Sequence, residues 1–346
     1  MGTLNNDPIQ TLMEKLRSLK ETGEVLACLS EKENHHTFLQ WRLKELMTKQ
    51  PDEKVVDCQT FDWILSDVEI LEYLLCSGYV QNNRWVSVIN ILTSLINVDT
   101  LNIKTKAYNK RLAVAVALSF ANEIKTLASN GKLAINHIHR YSTYKQWADQ
   151  NDLFSVHARL SPWLLRFVVS SNAEAKELKW VRENVNSKSL SPDNIGEAAQ
   201  TMVTLKNNGV KRPLTLPSLK SRGAAENKGI SYFCVGMCQG FGIPACVIEQ
   251  PGHSSFVWWR NGEWESGNVK DGIDMCDSTL EGQWSWNERA DYHFLFDEAN
   301  KVFDKYVTSE KIRWICEELE NEIVHTQLLD HATMICPKNY LLSKKN

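Results

Sequence analysis

GAAENKGISYFCVGMCQGFGIPACVIEQPGHSSFVWWRNGEWESGN, running from Gly223 to Asn268, is the stretch on which the reading of the fold turns. Ile230, Phe233, Cys234, Met237 and Phe241 recur at spacings of three and four, which predicts a helix from about Asn227 to Gly240 with one buried face. Gly240 and Gly242 stop that helix, and Pro244 prevents it from resuming. Strands are expected next, near Ala245–Gln250, Ser254–Arg260 and Glu263–Ser266, so the stretch forms one helix-turn-sheet unit.

Upstream, apolar residues fall at helical spacing near 37–49, 60–77, 84–97 and 109–129, and each run is closed by Gly, Pro or Asn. Asp7-Pro8 is a helix start, with an acidic cap and Pro at the first helical position. No repeat of fixed period is present, so a helical bundle or array is expected rather than a solenoid. Between 131 and 170, polar and aromatic residues gather. His137 and His139 alternate there, as a strand or loop would place them on one side, and hydrogen-bonded surface histidines account for the pair better than a metal site. A helix is expected from Ser191 to about Lys206. An irregular stretch from Val210 to Ala225, with Lys220 and Arg222, leads into the Asn227 helix and would rim a cleft there. After the sheet, 269–290 reads as a long turn-rich connection, followed by helices near 292–306 and 309–323.

The chain has 346 residues, charged residues at 23% and a formal net charge of −3. Its overall charge therefore offers no general attraction to nucleic acid or to an anionic membrane. No window of about 18 uncharged apolar residues occurs, and the first residues lack the apolar core of a secretory signal. Nine scattered cysteines read as reduced thiols of a cytoplasmic protein. Cys234 and Cys238, one helical turn apart, have no matching pair at zinc-like spacing, so no metal and no other cofactor is expected.

Ile230-Ser231-Tyr232-Phe233, Gly240-Phe241-Gly242-Ile243-Pro244 and Gln250-Pro251-Gly252-His253 together resemble the core of the transglutaminase-like superfamily, in its bacterial and plant branch with a QPGH motif. The resemblance implies a transglutaminase-like (papain-like) domain over 161–346 with its core at 223–268, which, added to the helical N-terminal region read from apolar spacing over 1–160, makes the expected fold α+β. In that core a central helix packs on a small antiparallel sheet. It also implies a nucleophilic Cys at the start of the helix, a His on the second strand and an orienting Asp or Asn on the third. His253 falls on the family's His and Asn268 on the orienting residue, with Asp271 and Asp274 nearby. The Cys position holds Asn227, and a carboxamide cannot form a thioester. Cys234 lies two turns into the helix on its packing side and is a core residue rather than a substitute.

What remains is a histidine able to act as acid or base, an Asn able to accept its ring N–H, and an Asn beside exposed helix amides able to polarise a carbonyl. Asn227 equally suits a plain helix cap. Tyr232, Trp258, Trp264, Trp284 and Trp286 concentrate here and are candidates for the wall of an apolar substrate pocket, although one of Trp258 and Trp259 should point away from the sheet. The expected function is isomerisation, cyclisation or elimination on a small carbonyl-containing molecule by His-centred acid/base catalysis. The alternatives are an inactive relative that binds a protein or glycan, and residual amide or ester hydrolysis or acyl transfer. The helical region is the expected surface for any protein partner.

Overall fold

The computed structural model of the chain describes residues 8–49, 55–78, 80, 84–126, 133–185, 187–203, 215–222, 227–250, 253–267, 303–317 and 322–335. It is an α+β architecture in which helices predominate around a three-stranded antiparallel sheet. Among the described residues, no helix is long and apolar enough to cross a membrane.

The N-terminal part runs α1 (Pro8–Ser18), α2 (Thr22–Ser30), α3 (Lys32–Thr48), α4 (Cys58–Ser66), α5 (Val68–Cys76), α6 (Trp85–Val98), α7 (Thr100–Thr105) and α8 (Ala107–Phe120). The single helix expected over 60–77 is two. Asp67 has an extended backbone and its carboxylate accepts from Ile70 N at 3.0 Å, so it ends α4 and caps α5. Lys110 of α8 donates to Asp67 at 2.8 Å and to Glu69 at 2.7 Å, tying that junction down.

The helix expected over 109–129 stops at Phe120, and the chain turns through an isolated antiparallel bridge between Lys125 and Ala134. Residues 137–149 are helical (α9, His137–Asp149), which corrects the strand or loop expected there. Asn136 caps α9 by accepting from His139 N at 2.9 Å. Two residues apart on a helix is a rotation of about 200°, so His137 and His139 point to different sides. His137 lies 2.9 Å from the Ser94 hydroxyl and edge-on to Phe120.

A 3-10 turn (Ser155–Arg159) leads to α10 (Pro162–Val169), capped by Ser161 with Pro162 at its first position. Then follow α11 (Ala175–Asn184), α12 (Ile195–Met202), α13 (Leu216–Arg222) and α14 (Asn227–Gly240), with a short 3-10 turn at Ser187–Ser189 between α11 and α12. The sheet is β1 (Ala245–Gln250), β2 (His253–Arg260) and β3 (Glu263–Gly267), with β2 in the middle. Ala245 pairs with Trp258, Gln250 with His253, and Trp259 with Trp264. Two further helices follow among the described residues, α15 (Phe303–Cys316), which overlaps the one expected over 309–323, and α16 (Glu322–Ile335); most of the helix expected over 292–306 lies outside the described residues. Residues 269–302 lie outside the described residues.

One contiguous set of buried apolar residues extends from Leu12 to Ala332 and crosses residue 160, where a domain boundary was expected. The Tyr144 hydroxyl of α9 lies 3.1 Å from Val168 O and 3.0 Å from Gln239 O. Phe154 stacks on Phe241 at 5.4 Å between ring centroids. The C-terminal helices pack back onto the N-terminal part: Phe38 stacks on Trp314, Arg42 lies over the same indole, and Thr22 bonds Gln327.

Candidate functional site

Helix α14 is the element on which the site is built. Its face of Ile230, Phe233, Cys234, Met237 and Phe241 is buried, and it packs on β1 and β2. Its end is fixed by geometry that demands glycine. Ile243 N donates to Cys238 O, Gly242 N donates to Gln239 O, and Gly242 takes φ of +80°. This is a Schellman ending, in which left-handed Gly242 satisfies the last carbonyls and Pro244 follows it.

From that turn the helix runs one way for 14 residues, roughly 21 Å, while β1 runs back along it for 6 residues, roughly 20 Å. The two lengths match. Asn227 is the first residue of α14, at the end away from the Gly242 turn, and His253, paired with Gln250, opens β2 at the end of β1 away from that turn. Asn268 lies outside the described residues, as do Asp271, Asp274, Trp284 and Trp286; β3 ends at Gly267, opposite Phe256.

Cys234 is fully buried, and burial pushes its thiol well above the ordinary range. A thiol held protonated is no nucleophile, so its sequence reading as packing matches its surroundings.

Trp258 and Trp264 are core residues, which corrects their expected place in a pocket wall: they are 2% and 1% exposed. Trp258 stacks with Phe256 and presses on Gly196 of α12, where a Cβ would come within 2.3 Å of the indole. On the opposite face, Trp259 and Trp264 meet edge-on at 5.6 Å, and Trp264 meets Phe167 of α10. Helices therefore cover both faces of β2, and neither Trp258 nor Trp259 points to solvent.

A cavity of about 230 Å³ does open along α14, on the side of Tyr232, Val235 and Gln239. The other walls are β1 at Ala245–Val247, α13 at Leu216 and Leu219, Glu177 of α11, and the 170–173 loop. Tyr232 is thus the one candidate aromatic that borders it among those described. The stretch expected to be irregular is helical over 216–222, and Lys220 bonds Asn184 O and lies over Trp180 instead of rimming a cleft.

Glu177 was not singled out by its sequence. It is 4% exposed, and its carboxylate accepts from Glu174 N at 2.9 Å and Leu216 N at 3.1 Å. Burial raises its pKa, with the two N–H donors pulling the other way. Glu174 and Glu177 form a capping box at the start of α11, and that three-residue spacing is the signal that would have pointed to them. Arg140, 1% exposed, shapes the facing loop: its Nη2 donates to Ser171 O at 3.1 Å and to Ala173 O at 2.6 Å. Burial lowers the pKa of this guanidinium.

Compared with protein-family models, with curated proteins and with solved structures, the chain finds no match.

Proposed function

We propose that this chain is a divergent transglutaminase-like enzyme that has given up the cysteine nucleophile and works by acid/base chemistry centred on His253. The substrate is a small carbonyl-containing molecule, and the reaction an isomerisation, cyclisation or elimination. One observation carries the reading: Asn227 opens α14 and His253 opens β2, each away from the Gly242 turn that joins helix to sheet. In this reading the N–H groups at the start of α14 polarise the carbonyl. His253 moves the proton, a role typically worth ~10²–10⁴ in rate, and Asn268 orients the ring. A cytoplasmic setting accords with this, since the described cysteines are free thiols.

The test is incubation of the full chain with small-molecule extracts, wild type beside His253→Ala, followed by mass spectrometry of consumed and formed compounds. The reading requires a substrate–product pair that vanishes in His253→Ala while the variant keeps its unfolding temperature. Identical profiles for both proteins sink it. If Asn227→Cys gains hydrolysis of activated esters, the acyl-transfer alternative takes its place.

A second reading, an inactive relative that binds a protein or glycan, is favoured by the burial of Trp258 and Trp264. Those rings fill space that a substrate pocket would need. Its helical part would then be the docking surface.

A further inference from the structure

Away from the sheet, a chain of polar groups joins three helices. The Lys311 amine of α15 lies 3.2 Å from Nδ1 of His35 on α3, and Nε2 of that ring lies 2.8 Å from the Glu72 carboxylate on α5. An ammonium only donates and a carboxylate only accepts, so Nδ1 accepts from Lys311 and Nε2–H donates to Glu72. The side chains of His35 and Glu72 keep 14% and 29% of their exposure, and Lys311 is half-buried. Three residues further along each helix, Phe38 of α3 stacks on Trp314 of α15, which holds the amine opposite the imidazole. Of the neighbouring titratable groups, Cys76 on α5 is fully buried, and burial holds its thiol protonated and uncharged. Glu310 pairs with Arg313 at 3.3 Å.

Lys110 shows what the difference in partner does to an amine. It donates directly to Asp67 and Glu69; burial pushes its pKa down, but those two hydrogen bonds outweigh burial and the pKa is raised. Lys311 faces an imidazole, with the acid on the far side of the ring. Burial lowers its pKa, with Glu72 pulling the other way. A lysine desolvated beside a base is a nucleophile in waiting.

We propose that Lys311 is a covalent site for small aldehydes, which it takes as a Schiff base with His35 moving the proton. His35 takes a proton from the ammonium, and the freed nitrogen lone pair attacks the carbonyl carbon as the C=O π pair goes to oxygen. A proton then shifts from nitrogen to that oxygen and gives a carbinolamine. The imidazolium returns its proton to the hydroxyl, which leaves as water while the nitrogen lone pair closes the C=N bond. The sum is ammonium plus aldehyde to protonated imine plus water, and no oxidant or reductant is needed. Glu72 fixes the ring tautomer that leaves Nδ1 open to the amine. The site shares no element with Asn227 or His253, and the proposal stands without the acid/base reading.

The experiment is reductive trapping of the full chain at pH 7.5 with a limiting amount of butanal and sodium cyanoborohydride, followed by peptide mass spectrometry. Ordinary lysines are only about 0.1% neutral at that pH, so Lys311 should be butylated about tenfold or more faster than Lys110 and the exposed lysines. Between pH 7 and 9, labelling of ordinary lysines should rise about tenfold per pH unit, and that of Lys311 less steeply. His35→Ala should slow Lys311 about tenfold or more relative to Lys110, and added imidazole should restore part of that rate. A residue that merely packed would not be replaced by a free base. If His35→Ala loses its unfolding transition, His35→Gln, which keeps a polar side chain of similar reach, supplies the comparison of rates. Labelling of Lys311 no faster than that of the exposed lysines overturns the proposal, as does a rate unchanged by loss of His35, or a loss in His35→Ala that imidazole does not repair. His253→Ala should label Lys311 as the wild type does, so this site and the His253 chemistry fail separately.

Discussion

The Nδ1 atom of His157 lies 3.0 Å from the carbonyl oxygen of Gly242, and the same ring faces the spot where a Cβ on Gly242 would sit, at 2.8 Å. A histidine just ahead of α10 thereby holds the turn that joins α14 to the sheet. Gly242→Ala meets two penalties at once, a left-handed φ of +80° and a collision with a ring that is itself pinned by Tyr108 at 2.8 Å. The loss should be about 2–4 kcal/mol, read from the urea midpoint. A change of less than about 0.5 kcal/mol, the range of ordinary surface substitutions, would mean that the turn is not held in this way.

The same contact makes stability depend on pH in a defined window. Burial, partly offset by the Gly242 carbonyl, lowers the His157 pKa from 6.5 to about 4. Below pH 6.5 the unfolded chain takes up a proton that the folded chain refuses until about pH 4. The contribution is therefore whole above that window and lost as pH falls through it, at up to about 1.4 kcal/mol per pH unit. His157→Gln, which keeps a donor and an acceptor, should flatten the slope of unfolding free energy between those two pH values. Parallel slopes for the two proteins would assign the acid sensitivity elsewhere.

Trp258 and Gly196 form a tight pair across α12 and β2. Gly196→Ala should cost about 1–3 kcal/mol by overpacking against the indole. In a Trp258→Phe background the smaller ring leaves room, and the penalty should fall by at least ~0.5 kcal/mol. A thermal-denaturation cycle of the four proteins reads the coupling, and strict additivity would place the indole away from α12.

Much of this architecture was legible because it rests on local rules. The end of α14 follows from Gly242-Ile243-Pro244, since only a glycine suits the left-handed position and Pro244 cannot continue a helix. The strands follow from the apolar runs beyond it. What failed did so where tertiary packing supplies the signal. Helix α9 buries Arg140, Tyr141, Thr143, Tyr144 and Trp147, a face of polar and aromatic residues that carries no clean apolar period. Asp67 is visible as a cap, yet the apolar rhythm runs on through it, so one helix was read where two stand. Trp258 and Trp264 look available in sequence because strand alternation says nothing of a second layer of helices. Glu177, fifty residues before the start of α14, borders the cavity only after folding.

The continuity of the core gives the last prediction, on the proposed boundary at residue 160. A fragment of residues 161–346 carries the whole helix-on-sheet unit but loses the Tyr144 hydroxyl held between Val168 O and Gln239 O. It loses the Phe154 ring against Phe241 and the imidazole that holds the Gly242 turn. It also leaves α15 without Phe38 and Arg42 against Trp314, and without Glu72 of α5 near the half-buried Lys311. These are buried contacts on several sides of the fragment, and a chain of this size has only about 5–15 kcal/mol of net stability to lose. The fragment should therefore show no cooperative unfolding transition by circular dichroism and should be cut rapidly by protease, while the full chain resists. A sharp transition in the isolated fragment, near that of the full chain, would show that the sheet-bearing part has a core of its own and that the helices before residue 160 merely lie against it.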